Sequence, residues 1–312
     1  MKPTTLVHCT VTAGEEWKMR PDDLNSFWQA TIEELGRTDI NISLEELPEQ
    51  THREFTTYDV VLHSFQNQRI RGWYSVPNDP PPGGRLPAVL AVPGYAGNKN
   101  IPVHLPLAGF AVLTLFPRGQ GESLQEWRVD HGTKLTYNLG NKDKYYYRLA
   151  YMDCLRGLDF LSARAEVDEL RIGMWSRSQG GGFTLATAAL DSRLRVAVAE
   201  EPFLCNYPES VNITTSPYVE LHDYIAKNPD ERESALGMLA YFDTLNLVDK
   251  IQCPTLVNIG LKDQTCPAHT IMPVFDQITA PKALHVYPDL THSACTDFNA
   301  HAMHWLRRYL GS

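Results

Sequence analysis

The sequence predicts a doubly wound α/β fold, a mostly parallel sheet with helices on its faces. Two observations lead there. From residue 86 onward, short unbroken apolar runs alternate with longer stretches of helical spacing, as buried parallel strands joined by crossover helices require. In one of these junctions, around Ser178, a strand-like run passes into a glycine-rich helix start through a single serine flanked by small residues.

The elements follow in chain order. Pro21-Asp22-Asp23 precedes Leu24, Phe27, Trp28, Ile32 and Leu35, an acidic start with apolar residues at helical spacing that ends at Gly36. This predicts a helix within an N-terminal extension, residues 1–53. Tyr58 to Phe65 and Ile70 to Val76 are β-branched and aromatic runs across a short polar link, an antiparallel hairpin. The turn-rich Asn78 to Gly84 reads as a surface loop, since strand-like sequence resumes at Leu86. Strands are then expected at Ala88 to Val92, Ala111 to Phe116, Arg171 to Trp175, Val196 to Glu200, Thr255 to Ile259 and Ala283 to Val286. Helices are expected at Tyr145 to Ser162, Gln179 to Leu190, Thr270 to Gln277 and Thr296 to Tyr309. Between about 202 and 250 the alternation stops, and the segment reads as a helical insertion that roofs the carboxyl ends of the strands. A chain of 312 residues is then one large domain.

Composition narrows the function classes. Hydrophobic residues at 43% and charged residues at 21% fit a globular chain with a sizeable core. With 28 Lys+Arg against 37 Asp+Glu the formal charge is -9, and no basic stripe offsets it, so nucleic acid is not an expected partner. No stretch reaches the roughly 18 uncharged apolar residues that a bilayer span needs, and residues 1–20 lack the apolar run of a secretory signal. A cytoplasmic protein without a membrane partner is expected. The 6 cysteines are scattered without a CxxC pair, which reads as reduced thiols and not as a zinc or redox motif.

The chemistry centres on Ser176-Arg177-Ser178-Gln179-Gly180. A serine at a sharp strand-to-helix turn has its hydroxyl thrust outward, and small residues two before and two after let the turn close. The pattern is SxSxG where GxSxG is usual. A serine hydroxyl needs a histidine base oriented by a carboxylate, and on this architecture they follow in the order Ser, acid, His on loops after late strands. Asp263 lies just beyond the strand ending at Ile259, and His292 just beyond the strand ending at Val286. Asp289 is close to His292 in sequence but reads as a turn residue. Of 11 histidines, His301 and His304 sit at helical spacing but lack the third ligand of a metal site, and His285 falls inside a strand. Donors for a developing oxyanion are expected from the backbone amides of Gln179, at the helix start, and Tyr95, in the loop after the first parallel strand. Tyr95 is also the one aromatic side chain selected for substrate contact, ahead of Trp127 and Tyr207.

With those residues in view, the sequence resembles carbohydrate esterase family seven, the acetyl xylan esterases and cephalosporin C deacetylases. The blocks that carry the resemblance are Arg118-Gly119-Gln120-Gly121, Tyr145-Tyr146-Tyr147-Arg148, Ser178-Gln179-Gly180-Gly181-Gly182, Glu201-Pro202-Phe203-Leu204-Cys205, Tyr241-Phe242-Asp243 and Gly260-Leu261-Lys262-Asp263 before Cys266-Pro267. They span the chain from about Pro21 to its end. The resemblance implies an α/β-hydrolase fold, a nucleophile at Ser178 with acid Asp263 and base His292, and oxyanion amides from Tyr95 and Gln179. It implies a cytoplasmic serine esterase that removes acetyl groups from short xylo-oligosaccharides and small esters such as cephalosporin C. It also implies a homo-oligomer, commonly a hexamer whose active sites face an internal cavity. No metal or organic cofactor is implied. Two positions depart from the family pattern: Ser176-Arg177 stands where a Gly-Gly pair is usual, and Pro93 where a His is usual. From the residues alone, other acyl esters, lactones or peptides, or a non-catalytic binding protein on the same fold, stay open as alternatives.

Overall fold

The computed structural model describes residues 20–79 and 84–311. The reading of residues 1–20 as lacking a secretory signal therefore falls, but for Arg20, outside the described residues, as does part of the loop expected at Asn78 to Gly84.

A nine-stranded sheet runs through the molecule in the order β1-β2-β3-β5-β4-β6-β7-β8-β9. Its first three strands, β1 (Ser43–Glu46), β2 (Phe55–His63) and β3 (Arg69–Pro77), pair antiparallel with one another. β3 also pairs antiparallel with β5 (Ala111–Phe116), which lies parallel to β4 (Leu86–Ala91). From β4 the sheet continues parallel through β6 (Val167–Arg177), β7 (Leu194–Glu200), β8 (Thr255–Gly260) and β9 (Lys282–Tyr287).

The burial of the strands explains why the sequence pattern announces them. Every residue of β4, β5 and β8 is buried, because helices cover both faces there, and such strands read as continuous apolar runs. β2 instead alternates buried and part-exposed residues, as an antiparallel strand with one wet face does. Period two also sorts the core. Leu90 and Leu113 join the larger apolar cluster beneath α1 (Leu24–Gly36), α2 (Tyr146–Ser162) and α3 (Gln179–Leu190). Their neighbours Val89 and Val112 face the other way, onto Phe298, Leu306 and Leu310 of a helix spanning Thr296–Leu310.

The expected hairpin is present with its first strand shifted earlier, Phe55–His63 in place of Tyr58 to Phe65. The link Phe65–Asn67 is a 3-10 turn in which Gln66 and Asn67 take positive φ, so Phe65 leaves the strand to fill the core. Between β7 and β8 lie α4 (Tyr207–Ser210), α5 (Val219–Lys227) and α6 (Arg232–Leu239), the helical segment expected at about 202 to 250. α7 (Ala268–Gln277) starts two residues before the expected Thr270, and α8 is the Thr296–Leu310 helix. No helix among the described residues is long and apolar enough to cross a membrane.

Buried charge ties the hairpin to the helices. Asp153 of α2 is fully buried and accepts Nε and Nη2 of Arg118 at 2.9 and 2.7 Å, the Arg118 amide at 2.9 Å and the Ser64 hydroxyl at 2.6 Å. A charge in the interior is tolerable because each oxygen meets strong donors.

Candidate active site

Ser178 sits between the end of β6 and the first turn of α3 with φ +59° and ψ -123°, a conformation costly for a residue with a Cβ. The neighbours hold it there. Its amide donates to Glu200 O at 2.9 Å, and its carbonyl accepts from the amides of Gly182 and Phe203 at 3.0 and 2.9 Å. The turn closes around Gly180, where a Cβ would come within 2.7 Å of Ser176 Cβ and 2.8 Å of Val92 O. Ser176, in the position where glycine is usual, fits because its hydroxyl is used. Its Oγ accepts from the Val92 amide at 2.9 Å and donates to Trp175 O at 2.7 Å, fastening β6 to the end of β4.

The residues selected from the sequence converge. His292 Nε2 lies 3.0 Å from Ser178 Oγ, and His292 Nδ1 lies 2.7 Å from Asp263 Oδ2. Asp263 is buried and held from the other side, its Oδ1 accepting the amides of Thr265 and Cys266 at 2.8 and 2.9 Å. The loops carrying Asp263 and His292 cross in contact, with a Cβ on Gly260 falling 2.4 Å from Leu290 O, so only glycine fits that crossing. Asp289, the sequence neighbour set aside, points elsewhere and pairs with Lys262 at 2.5 Å on the surface. His301 lies 3.7 Å from Asp297, within its own helix.

The Tyr95 loop is fastened beside the serine. Gln179 is fully buried, accepts the Tyr147 hydroxyl at 3.0 Å through Oε1 and donates to Gly94 O at 3.4 Å through Nε2. Lys134 donates to Tyr95 O at 2.7 Å, and the Tyr95 hydroxyl donates to Glu220 of the roofing segment. Among the described residues neither the Tyr95 nor the Gln179 amide donates a hydrogen bond, so both are free for an oxyanion. A cleft of about 490 Å³ opens over this group, lined by Tyr95, Lys99, Arg177, Ser178, Ser216 and His292 among others. Trp127 packs instead against Tyr137 and Tyr146, and Tyr207 is fully buried, so neither lines the cleft.

Asp263, Cys266 and His292 bring ligand-type atoms within 4.8 Å of one another. Asp263 and His292 are already bonded to each other, and burial pushes the Cys266 thiol well above its ordinary value, away from the thiolate a metal prefers.

The chain belongs to the acetyl xylan esterase family. The family profile described as acetyl xylan esterase (AXE1) matches residues 11–309. Acetyl esterase Axe7A of Xylanibacter ruminicola is 28% identical over 92% of this chain and 67% of its own length. Among solved structures, the acetyl xylan esterase from Paenibacillus sp. R4 superposes with a TM-score of 0.88 at 31% identity, covering 93% of this chain and 96% of that one. Acetyl xylan esterase 1 from Thermoanaerobacterium sp. JW/SL YS485 gives 0.85 at 30% identity, over 94% and 95%. The fold is that of the α/β-hydrolases, and the protein is a carboxylic ester hydrolase of the deacetylating kind.

Within this family member, one group at the site escaped the sequence reading. Glu201, just past β7, has φ +40° and a side chain only 1% exposed. Its Oε2 lies 3.5 Å from His292 Nδ1 and 3.4 Å from Arg177 Nε. Burial pushes its carboxyl up to about 8, with Arg177 and the Ser293 amide opposing the rise and Asp263 and Glu200 adding to it. The sequence carried a signal for it, since Glu200-Glu201 follows directly on the apolar run Val196 to Ala199.

Proposed function

We propose that the protein hydrolyses O-acetyl esters of short xylo-oligosaccharides and related small acetyl esters such as cephalosporin C, through an acetyl-enzyme on Ser178. The observation that carries this reading is the unbroken hydrogen-bonded line from Ser178 Oγ through His292 to Asp263 at the floor of the cleft. The names borne by the relatives supply the acetyl and xylan parts of the reading.

Ser178 Oγ attacks the acetyl carbonyl carbon while its proton passes to His292 Nε2, and Asp263 stabilises the imidazolium through Nδ1. The oxygen that gains charge lies toward the free amides of Tyr95 and Gln179. Collapse of the tetrahedral species breaks the bond to the sugar oxygen, which takes the proton from Nε2. Water then adds to the acetyl group, giving a proton to Nε2, and acetate leaves as that proton returns to Ser178 Oγ.

Hydrolysis of p-nitrophenyl esters from acetate to octanoate, with acetate release from acetylated xylo-oligosaccharide, tests the reading beside Ser178→Ala. Acetate turnover should fall with chain length and lose several orders of magnitude in kcat in the variant, whose fold stays intact. Wild-type-like turnover by Ser178→Ala, or a preference for octanoate, refutes it.

Two further properties belong to the same proposal. A homo-oligomer, a hexamer on the family pattern, is expected and is refuted by a stable monomer in light scattering. A cytoplasmic location fits the free buried thiols Cys154, Cys205, Cys253 and Cys266.

A further inference from the structure

The cleft over Ser178 has an unusual charge pattern. Among the described residues two cations, Lys99 and Arg177, line it, and no Asp or Glu does. Arg177 is fixed at the end of β6, where it pairs in register with Glu200, one residue before Ser178. Its Nη2 donates to His292 O at 3.3 Å, while Nη1 donates to nothing among the described residues and the side chain stays 34% exposed. Lys99 makes no hydrogen bond and no ion pair within 4.0 Å among the described residues, although it lies partly buried.

Two carboxyls, Glu200 and Glu201, stand behind the wall and do not match the two cations charge for charge. Glu200, 8% exposed and accepting the Trp175 indole N–H, lies outside the cleft lining and offsets part of the charge of Lys99 and Arg177 from behind. Glu201 is shut off from solvent beneath Arg177. Its carboxyl, pushed up to about 8 by burial, holds its proton at neutral pH and so does not neutralise the guanidinium above it. Burial and the neighbouring Arg177 both lower the Lys99 ammonium, with Glu200 opposing, so an anion entering the cleft would restore what each cation lacks.

We infer that Arg177 and Lys99 form an anion subsite, and that the preferred substrates are acetyl esters of sugar acids whose carboxylate lies close to the acetylated hydroxyl. The inference rests on Ser178 as the nucleophile. A neutral acetylated sugar offers only hydroxyls, which need no cation. A carboxylate offers two oxygens to a planar guanidinium, in a cleft whose walls focus the field and weaken solvent screening. Each charge-assisted hydrogen bond of this kind is worth roughly tenfold or more in affinity.

The test uses a matched pair: an acetylated methyl glucuronoside with a free carboxylate, and the same compound as its neutral methyl ester. The readout is the ratio of the two kcat/KM values, which a general loss of activity does not move. Wild type should favour the carboxylate by about tenfold or more at low ionic strength, with the preference shrinking as salt is added. Arg177→Gln and Lys99→Gln should each lower the ratio, and Arg177→Lys should keep part of it. If Arg177 only braces the His292 loop, both esters lose rate alike and the ratio stays unchanged, which overturns the inference. Equal kcat/KM values for the pair in wild type overturn it too, while leaving the esterase reading standing. Persistent turnover of p-nitrophenyl acetate by Ser178→Ala overturns that reading and the subsite with it.

Discussion

Replacing Glu201 by Gln isolates a buried carboxyl at the site that holds its proton at neutral pH. In the unfolded chain this group ionises near the ordinary 4.5; in the folded protein burial delays ionisation to about 8. A raised carboxyl disfavours the folded state wherever the unfolded chain has already given up the proton, so its cost appears above pH 4.5 and grows until about 8. At roughly 1.4 kcal/mol per tenfold, the interval makes the folded state about 4 kcal/mol worse at pH 9 than at pH 5 through this group alone. The side chain is only 1% exposed, so solvent screening does not erode that figure. Gln has the same shape and no charge to develop. Urea unfolding of wild type and Glu201→Gln at pH 5 and pH 9 therefore gives a stability difference that moves by about 4 kcal/mol in favour of the variant at the higher pH. A difference that is the same at both pH values would mean that Glu201 is ionised throughout and neutralises the Arg177 guanidinium.

Two further outcomes follow from single contacts. Asp153→Asn leaves the Arg118 guanidinium buried without its carboxylate, which should cost about 3–5 kcal/mol in urea unfolding; a loss under about 1 kcal/mol would show that the pair is not desolvated. Gly180→Ala drives a Cβ to 2.7 Å from Ser176 Cβ and 2.8 Å from Val92 O, and so should collapse esterase activity by displacing Ser178. Adding Ser176→Gly should restore part of that activity, because it removes one of the two clashes; full activity in Gly180→Ala would refute the account of the turn.

The parallel strands were legible because burial on both faces leaves continuous apolar runs, so β4, β5 and β8 announce themselves. β1 was not legible: Ser43, Leu44, Glu45 and Glu46 are all exposed, and nothing in their pattern separates an edge strand from a loop. Nor was the exchange of β4 and β5 in the sheet, since an apolar run says that a strand is buried and not which strand lies beside it. At the site, residue order and strand ends selected Ser178, Asp263 and His292, because this turn chemistry is local and the carriers are strand termini.

The amino-acid sequence by itself determined what is local or periodic: the elements, the strained serine between β6 and α3, and the family blocks around it. Tertiary structure supplied the reason that Asp263, the acid the sequence selects, meets His292 while Asp289 does not. Asp263 and Asp289 both lie on loops at the same sheet edge, and only the crossing at Gly260 and Leu290 brings the first to Nδ1 and leaves the second with Lys262. Only the folded sheet sets Glu201 under Arg177, because their 3.4 Å contact joins the ends of two adjacent parallel strands whose register is a property of that sheet. Burial then assigns that carboxyl its proton, and burial is collective: it exists only once every element has packed.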